Sequence, residues 1–295
     1  MGVGKFIHTG NECDLQITDF LDYFGRDPEV GGIIMYLETI RAGKHFKEVA
    51  GRVAKEKPIV VHKVGRTRGG ARAASSHTGA LAGVHHVYDG LFHQLNVIPS
   101  PTMELLIPLA HALIERPPLR GNRLAVITVG GSWGVVLTDS LEEKGFRVPE
   151  LSKTLQEKLR DLGMPLRAST KNPVDIGAAG VGNFSPEMIA EIGRLILLSG
   201  EVDALIFHGF GRRGKFEGEA AGHLKFFIEI EKKILKNIAV LEEENGHPVM
   251  LGSHFTSWES QTVHDLGREG IRFYNSIEDL SLILSGMLRY WKGKR

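Results

Sequence analysis

Arg123-Leu-Ala-Val-Ile-Thr-Val129 followed by Gly130-Gly-Ser-Trp-Gly134 and Val135-Val-Leu-Thr-Asp-Ser-Leu-Glu-Glu-Lys144 reads as an apolar strand, a glycine turn and an amphipathic helix. An apolar run without polar alternation fits a strand buried on both faces, and that is the situation in a parallel sheet covered by helices. The same alternation continues downstream. Strands are expected at Ala204–His208, Pro248–Gly252 and Ile271–Tyr274, and helices at Pro186–Leu198, Glu219–Glu244, Ser257–Gly267 and Ile277–Lys292. Upstream, strands are expected at Lys5–His8, Gly32–Leu37 and Pro58–His62, with helices at Gln16–Phe24 and Gly43–Lys55. Pro58 limits the second of these helices. Helical runs follow at His85–Leu95 and Thr102–Ile114, after a stretch from Lys63 to Gly83 that breaks the pattern and reads as a loop.

Between the two series lies Glu115-Arg-Pro-Pro-Leu-Arg-Gly-Asn122, polar and proline-containing, as linkers are. With 295 residues and roughly 100 to 200 residues per domain, the expectation is two domains, 1–117 and 118–295. The fold class expected is α/β, two flavodoxin-like three-layer domains with parallel sheets. There is no solenoid-type repeat. The charges of Lys225–Glu244 fit a solvated helix face.

Charge narrows the function. Lys plus Arg is 36 and Asp plus Glu is 35, a net charge of +1, so neither a strongly basic nucleic-acid binder nor an acidic tail protein is indicated. The single cysteine, Cys13, makes no internal disulfide and no thiolate metal cluster. It reads as inert, and the chain as suited to a reducing compartment, with the cytoplasm expected. The N-terminus lacks an apolar signal core, and no apolar stretch approaches the roughly 18 residues of a membrane span. Neither membrane nor nucleic-acid partners are expected.

The most distinctive stretch is Lys63-Val-Gly-Arg-Thr-Arg-Gly-Gly-Ala-Arg-Ala-Ala-Ser-Ser-His-Thr-Gly-Ala-Leu-Ala-Gly83. One imidazole, His77, stands among small residues and can act as a nucleophile toward phosphorus. Residue types alone favour the plainer reading, a solvent-exposed loop histidine. The cations Lys63, Arg66, Arg68 and Arg72 suit phosphate, although such runs are more often simply solvated. Gly130, Gly131, Ser132, Trp133 and Gly134 open a helix whose free N–H groups and positive dipole end suit an anion. A glycine turn equally serves to tighten a connection. Asn172-Pro-Val-Asp175 is a turn initiator before a short apolar run, structural first and site-lining second. His85, His86 and His93 lack a closed ligand set and read as exposed helix histidines, so no metal site is expected.

Lys63 to Gly83 closely resembles the phosphohistidine segment of the nucleoside-diphosphate-forming acyl-CoA synthetases, the superfamily that includes succinyl-CoA synthetase; Ser76-His-Thr-Gly-Ala-Leu-Ala-Gly83 is its most specific part. The resemblance continues through Gly10-Asn11, Asp27-Pro28, Tyr36-Leu37-Glu38, Thr128–Asp139 and Asn172-Pro-Val-Asp175. It implies that His77 is the phosphorylated residue and that Glu38 hydrogen-bonds and orients its ring. Without it, Glu38 reads as a surface carboxylate closing a βα loop. Further implied phosphate or loop positions are Arg66, Arg68, Arg72, Ser76, Thr78 and Gly79, and Asn172 and Asp175 would line the site. At the second turn the family reads Ala-Gly-Gly-Pro-Gly, where this chain has Gly-Gly-Ser-Trp-Gly with the large Trp133.

The resemblance further implies an ADP-forming acid–thiol ligase in which His77 carries the phosphoryl group between acyl phosphate and ADP/ATP. No cofactor is expected to bind this chain tightly. CoA, ATP/ADP and Mg are expected through a CoA-binding and an ATP-grasp partner, neither of which these 295 residues resemble, so an oligomer follows. The first domain is expected to lack its opening βα unit, with an edge that a partner covers. The alternative from another class is a noncatalytic binding or regulatory subunit retaining the scaffold. A flavin binder would rest on fold analogy alone.

Overall fold

The computed structural model describes residues 2–78, 85–177, 185–214 and 221–294, with the side chains of 74–78 and 221–224 outside that description. The chain forms two compact units: Met1–Arg116 together with Gly286–Arg295, and Pro117–Ser285.

The first unit contains α1 (Ile17–Arg26), β1 (Ile33–Leu37), α2 (Gly43–Glu56), β2 (Ile59–Lys63), α3 (Arg68–Thr78), α4 (His85–Gln94), β3 (Ile98–Pro99) and α5 (Leu106–Glu115). Its strands pair in parallel in the order β1-β2-β3. The amphipathic period of α1 sets its inner face, and Gln16 N–H donating to Asp19 Oδ2 at 2.7 Å closes its first turn. Ile33, Met35 and Leu37 alternate inward from β1 and join Phe46, Val49, Ala50 and Val53 of α2 in one buried cluster with Ile59 and Val61.

Three expectations fail here. Residues Lys5–His8 form no strand, and Phe6 is 82% exposed. A strand needs a ladder, and Lys5 instead reaches the side chains of Asp27 and Glu29. The stretch after β2 is a helix over Arg68–Thr78 rather than a loop. Thr67 starts it, its Oγ1 accepting from Gly70 N–H at 3.1 Å and its carbonyl from Ala71 N–H at 2.7 Å. The Gly69-Gly70 pair masked the strong helix preference of the alanines and arginines around it. The expected helix at Thr102 begins only at Leu106, and the short β3 before it was not foreseen.

The second unit contains β4 (Leu124–Thr128), α6 (Gly131–Glu143), α7 (Lys153–Asp161), β5 (Val174–Asp175), α8 (Pro186–Leu198), β6 (Ala204–His208), α9 (Ala221–Asn245), β7 (Val249–Gly252), α10 (Gln261–Arg268), β8 (Phe273–Tyr274) and the start of α11 (Ile277–Gly293). The sheet is parallel in the order β5-β4-β6-β7-β8. Taken in chain order that is 2-1-3-4-5, the flavodoxin-like winding, which reverses between β4 and β6. Every residue of β4, β6 and β7 is buried, as their apolar runs require. Neither α7 nor β5 was expected. The helix α7 carries mostly polar residues and buries only Leu155 and Leu159, with Ser152 Oγ accepting from Leu155 N–H at its start. Among the described residues, no helix is long and apolar enough to cross a membrane.

Candidate functional site

In the first unit Glu38 and Lys63 stand at the carboxyl ends of β1 and β2. Leu37 pairs with Lys63 across the ladder, and Val64 N–H donates to Leu37 O at 3.0 Å, so the two strand ends are fixed side by side. Glu38, half-buried, is the next residue of the first strand, and the chain beyond Lys63 leads into α3. Arg66 is exposed and its Nε donates to His85 Nε2 at 3.2 Å, with Asp89 Oδ2 3.4 Å from the same nitrogen. Arg68 opens α3 and Arg72 lies one turn later, both exposed. The backbone of Ser76, His77 and Thr78 forms the last turn of α3, while their side chains, and Gly79 altogether, lie outside the described residues. His86 and His93 are exposed on α4, whereas His85 is half-buried against Arg66. Cys13 is a free, exposed thiol.

The sequence underrated Lys63. Its side chain is 4% exposed, with Nζ 2.5 Å from Val64 O and 4.5 Å from the centre of the Tyr88 ring. Burial pushes its pKa below the usual lysine value, and the nearby Glu38 charge works in the opposite direction. Tyr88 was missed as well. Its Oη lies 3.4 Å from Thr39 Oγ1 and accepts from Ile40 N–H at 3.3 Å, which pins the two residues after Glu38.

In the second unit the glycine turn lies at the sheet's winding reversal, the place where such sheets bind ligands. Gly130 caps α6 with extended backbone and no side-chain bond; its own N–H is taken by Thr128 Oγ1 at 3.2 Å. Gly134 permits close packing, because a Cβ there would lie 2.9 Å from the Pro173 ring. A Cβ on Gly131 would lie 3.0 Å from Asp175 Oδ2, so a carboxylate stands beside the start of α6. The other Asp175 oxygen accepts from Gly177 N–H at 2.8 Å. An anion approaching this helix start therefore meets a resident negative charge.

Asn172 takes a buried structural position. Its Oδ1 accepts from Val126 N–H at 2.9 Å, and its Nδ2 donates to Leu124 O at 3.0 Å and Pro149 O at 2.9 Å. The amide thus supplies ladder bonds along β4 where the two-residue β5 is too short to do so.

Trp133 packs against His254 at a tilt of 34°, ring centres 3.6 Å apart, and His254 meets His208 edge-on at 4.4 Å. His208 is 1% exposed at the end of β6; burial first, and His254 second, push its pKa down to about 4, so it is neutral at pH 7. Burial also lowers His254. The sequence reading overlooked both histidines. The available signal was position: His208 ends an expected strand and precedes Gly209.

Comparison with known proteins follows the same lines. Residues 1–113 match the succinyl-CoA ligase like flavodoxin domain. The acetate–CoA ligase [ADP-forming] II subunit alpha of Pyrococcus furiosus is 33% identical over 289 residues, covering 95% of this chain and 58% of that one. The corresponding I subunit alpha of the same organism is 39% identical over 176 residues, 60% of this chain and 38% of its own length. The dinucleotide forming acetyl-coenzyme A synthetase 1 of Ca. Korarchaeum cryptofilum, solved with phosphate and ADP, superposes with a TM-score of 0.78 at 30% identity over 98% of this chain and 59% of its own. The chain thus spans less than two thirds of these relatives. Over nearly its whole length it is similar to the alpha subunits of ADP-forming acetate–CoA ligases, and its first 113 residues fit the succinyl-CoA ligase like flavodoxin domain.

Proposed function

We propose that this chain is a subunit, or part of one, of an ADP-forming acyl-CoA synthetase, an acid–thiol ligase, and that His77 carries its phosphoryl group. An imidazole nitrogen of His77 attacks the phosphorus of an acyl phosphate, the P–O bond to the acyl oxygen breaks, and the organic acid leaves as its carboxylate. A terminal phosphate oxygen of ADP then takes the phosphoryl group and frees the imidazole. Glu38 orients the ring and balances its positive charge. Arg66, Arg68 and Arg72 bring positive charge to the phosphoryl group. CoA, nucleotide and Mg enter through CoA-binding and ATP-grasp partners.

The observation that carries this reading is the likeness to an alpha subunit over 95% of the chain, together with the Ser76–Gly83 motif following β2. Reconstitution tests it. The chain alone should give no turnover of acetate, CoA and ATP, and addition of the partner modules should restore acetyl-CoA formation. Turnover by the chain alone would refute this division of labour.

A second reading, a noncatalytic subunit keeping the scaffold, draws on one place. Asp175 and the Trp133–His254 pair occupy the surroundings of the α6 start where the proposed phosphate site lies. Reconstituted turnover without His77 phosphorylation would favour it.

A further inference from the structure

A lysine that is 4% exposed has given up nearly all its water, and that is costly unless charge and polar atoms replace the solvent. Among the described residues, the replacements around Lys63 include a carbonyl and an aromatic face. One carbonyl, Val64 O, lies 2.5 Å from Nζ, and the face of the Tyr88 ring is 4.5 Å away. The acidic group acting on it is Glu38. A methionine would fill the same space at lower cost, so packing alone does not explain a cation here.

Its surroundings all converge on the turn that carries Glu38. The Leu37–Lys63 register and the Val64 N–H to Leu37 O bond fix the backbone just before Glu38. Tyr88, whose ring covers the ammonium, holds Thr39 and Ile40 just after it. Glu38 therefore sits on a segment held on both sides, with a buried positive charge acting on it.

We propose that Lys63 is a positioning residue for Glu38: its buried ammonium, held beneath the Tyr88 ring at the end of β2, fixes the carboxylate that orients His77. The inference rests on the phosphohistidine reading above and assigns Lys63 a role other than direct phosphate contact. A fixed carboxylate near an imidazole holds the ring in one tautomer and one orientation, and a carboxylate free to swing does neither. Tyr88 shares the task through its ring face and its hydroxyl.

Two measurements on the full chain test this. With the partner modules and radiolabelled ATP, Lys63→Met should slow labelling of His77 about tenfold, and Lys63→Arg, which keeps the charge, should recover part of that loss. Since Lys63 acts through Glu38, the double variant Glu38→Gln/Lys63→Met should be no slower than Glu38→Gln alone. Independently of phosphorylation, the 13Cε resonance of Lys63 should titrate below the ordinary lysine value, and lower still in Glu38→Gln, because the charge that raises it is gone. Wild-type labelling rates in Lys63→Met, multiplicative losses in the double variant, or an unmoved lysine titration in Glu38→Gln would each overturn the proposal while leaving His77 as the carrier. Absence of labelling in the wild type would instead overturn the functional reading, and the role of Lys63 with it.

Discussion

The ends of β2 and β4 both lead into helices, yet the two junctions are built from different materials. At the first, Thr67 caps α3 with its side chain, and a buried ammonium and a carboxylate share the adjoining strand ends. At the second, Gly130 caps α6 with no side-chain bond, and Trp133 packs against His254, which meets His208 edge-on. One junction is polar and charged; the other is aromatic, with the carboxylate of Asp175 beside it. A glycine turn at a strand end is thus compatible with either, and the groups brought up from neighbouring strands decide what chemistry it can support.

The largest expected effect lies in the second unit. Asn172→Ala leaves Val126 N–H, Leu124 O and Pro149 O without their side-chain partner, and at about 1 kcal/mol or more for each buried group the loss should reach about 3 to 4 kcal/mol. Denaturant titration should show this as a lower midpoint for the second unit, with the first unit's transition little changed.

Next comes pH. His208 protonates near 6.5 when unfolded and near about 4 when folded, so between these values the unfolded chain binds the extra proton. Its contribution is complete above pH 6.5 and is lost as pH falls toward 4, to a total of at most about 3 kcal/mol. Thermal denaturation across this window should show the slope, and His208→Phe should flatten it. An identical slope in that variant would assign the pH dependence elsewhere.

Trp133→Ala removes the indole from His254 and should cost about 1 kcal/mol. It also sharpens the contrast between the junctions. If the indole obstructs a phosphoryl group at the α6 start, labelling of His77 rises in this variant, and unchanged labelling means that it does not. The smallest effect is expected from Thr67→Ala, which deletes the Gly70 cap and should weaken α3 by about 1 kcal/mol, read as faster amide exchange in its first turn.

The second unit was the more legible in sequence, because β4, β6 and β7 are buried throughout and their apolar runs carry that fact directly. Where the chain spends few residues on an element, the signal vanishes: β3 and β5 each have two residues, and one includes Pro99. Lys5–His8 shows the opposite error, since an apolar residue in a short run suggests a strand even where no neighbour offers a ladder. Among candidate site residues, His77 and Glu38 are proposed only through a motif. Lys63 and Tyr88 were not legible in sequence, because their meaning comes from the meeting of β1, β2 and α4, which are distant in sequence. His208 and His254 come together from the ends of two neighbouring strands for the same reason.

The central claim is that His77 carries the phosphoryl group, and the most direct measurement is phosphorylation of the full chain by radiolabelled ATP in the presence of its partner modules. The label should map to His77, survive alkali and be lost in acid, as phosphorus on an imidazole nitrogen does, and His77→Ala should abolish it. Label that persists in His77→Ala, or that resists acid as a phosphoester would, contradicts the account.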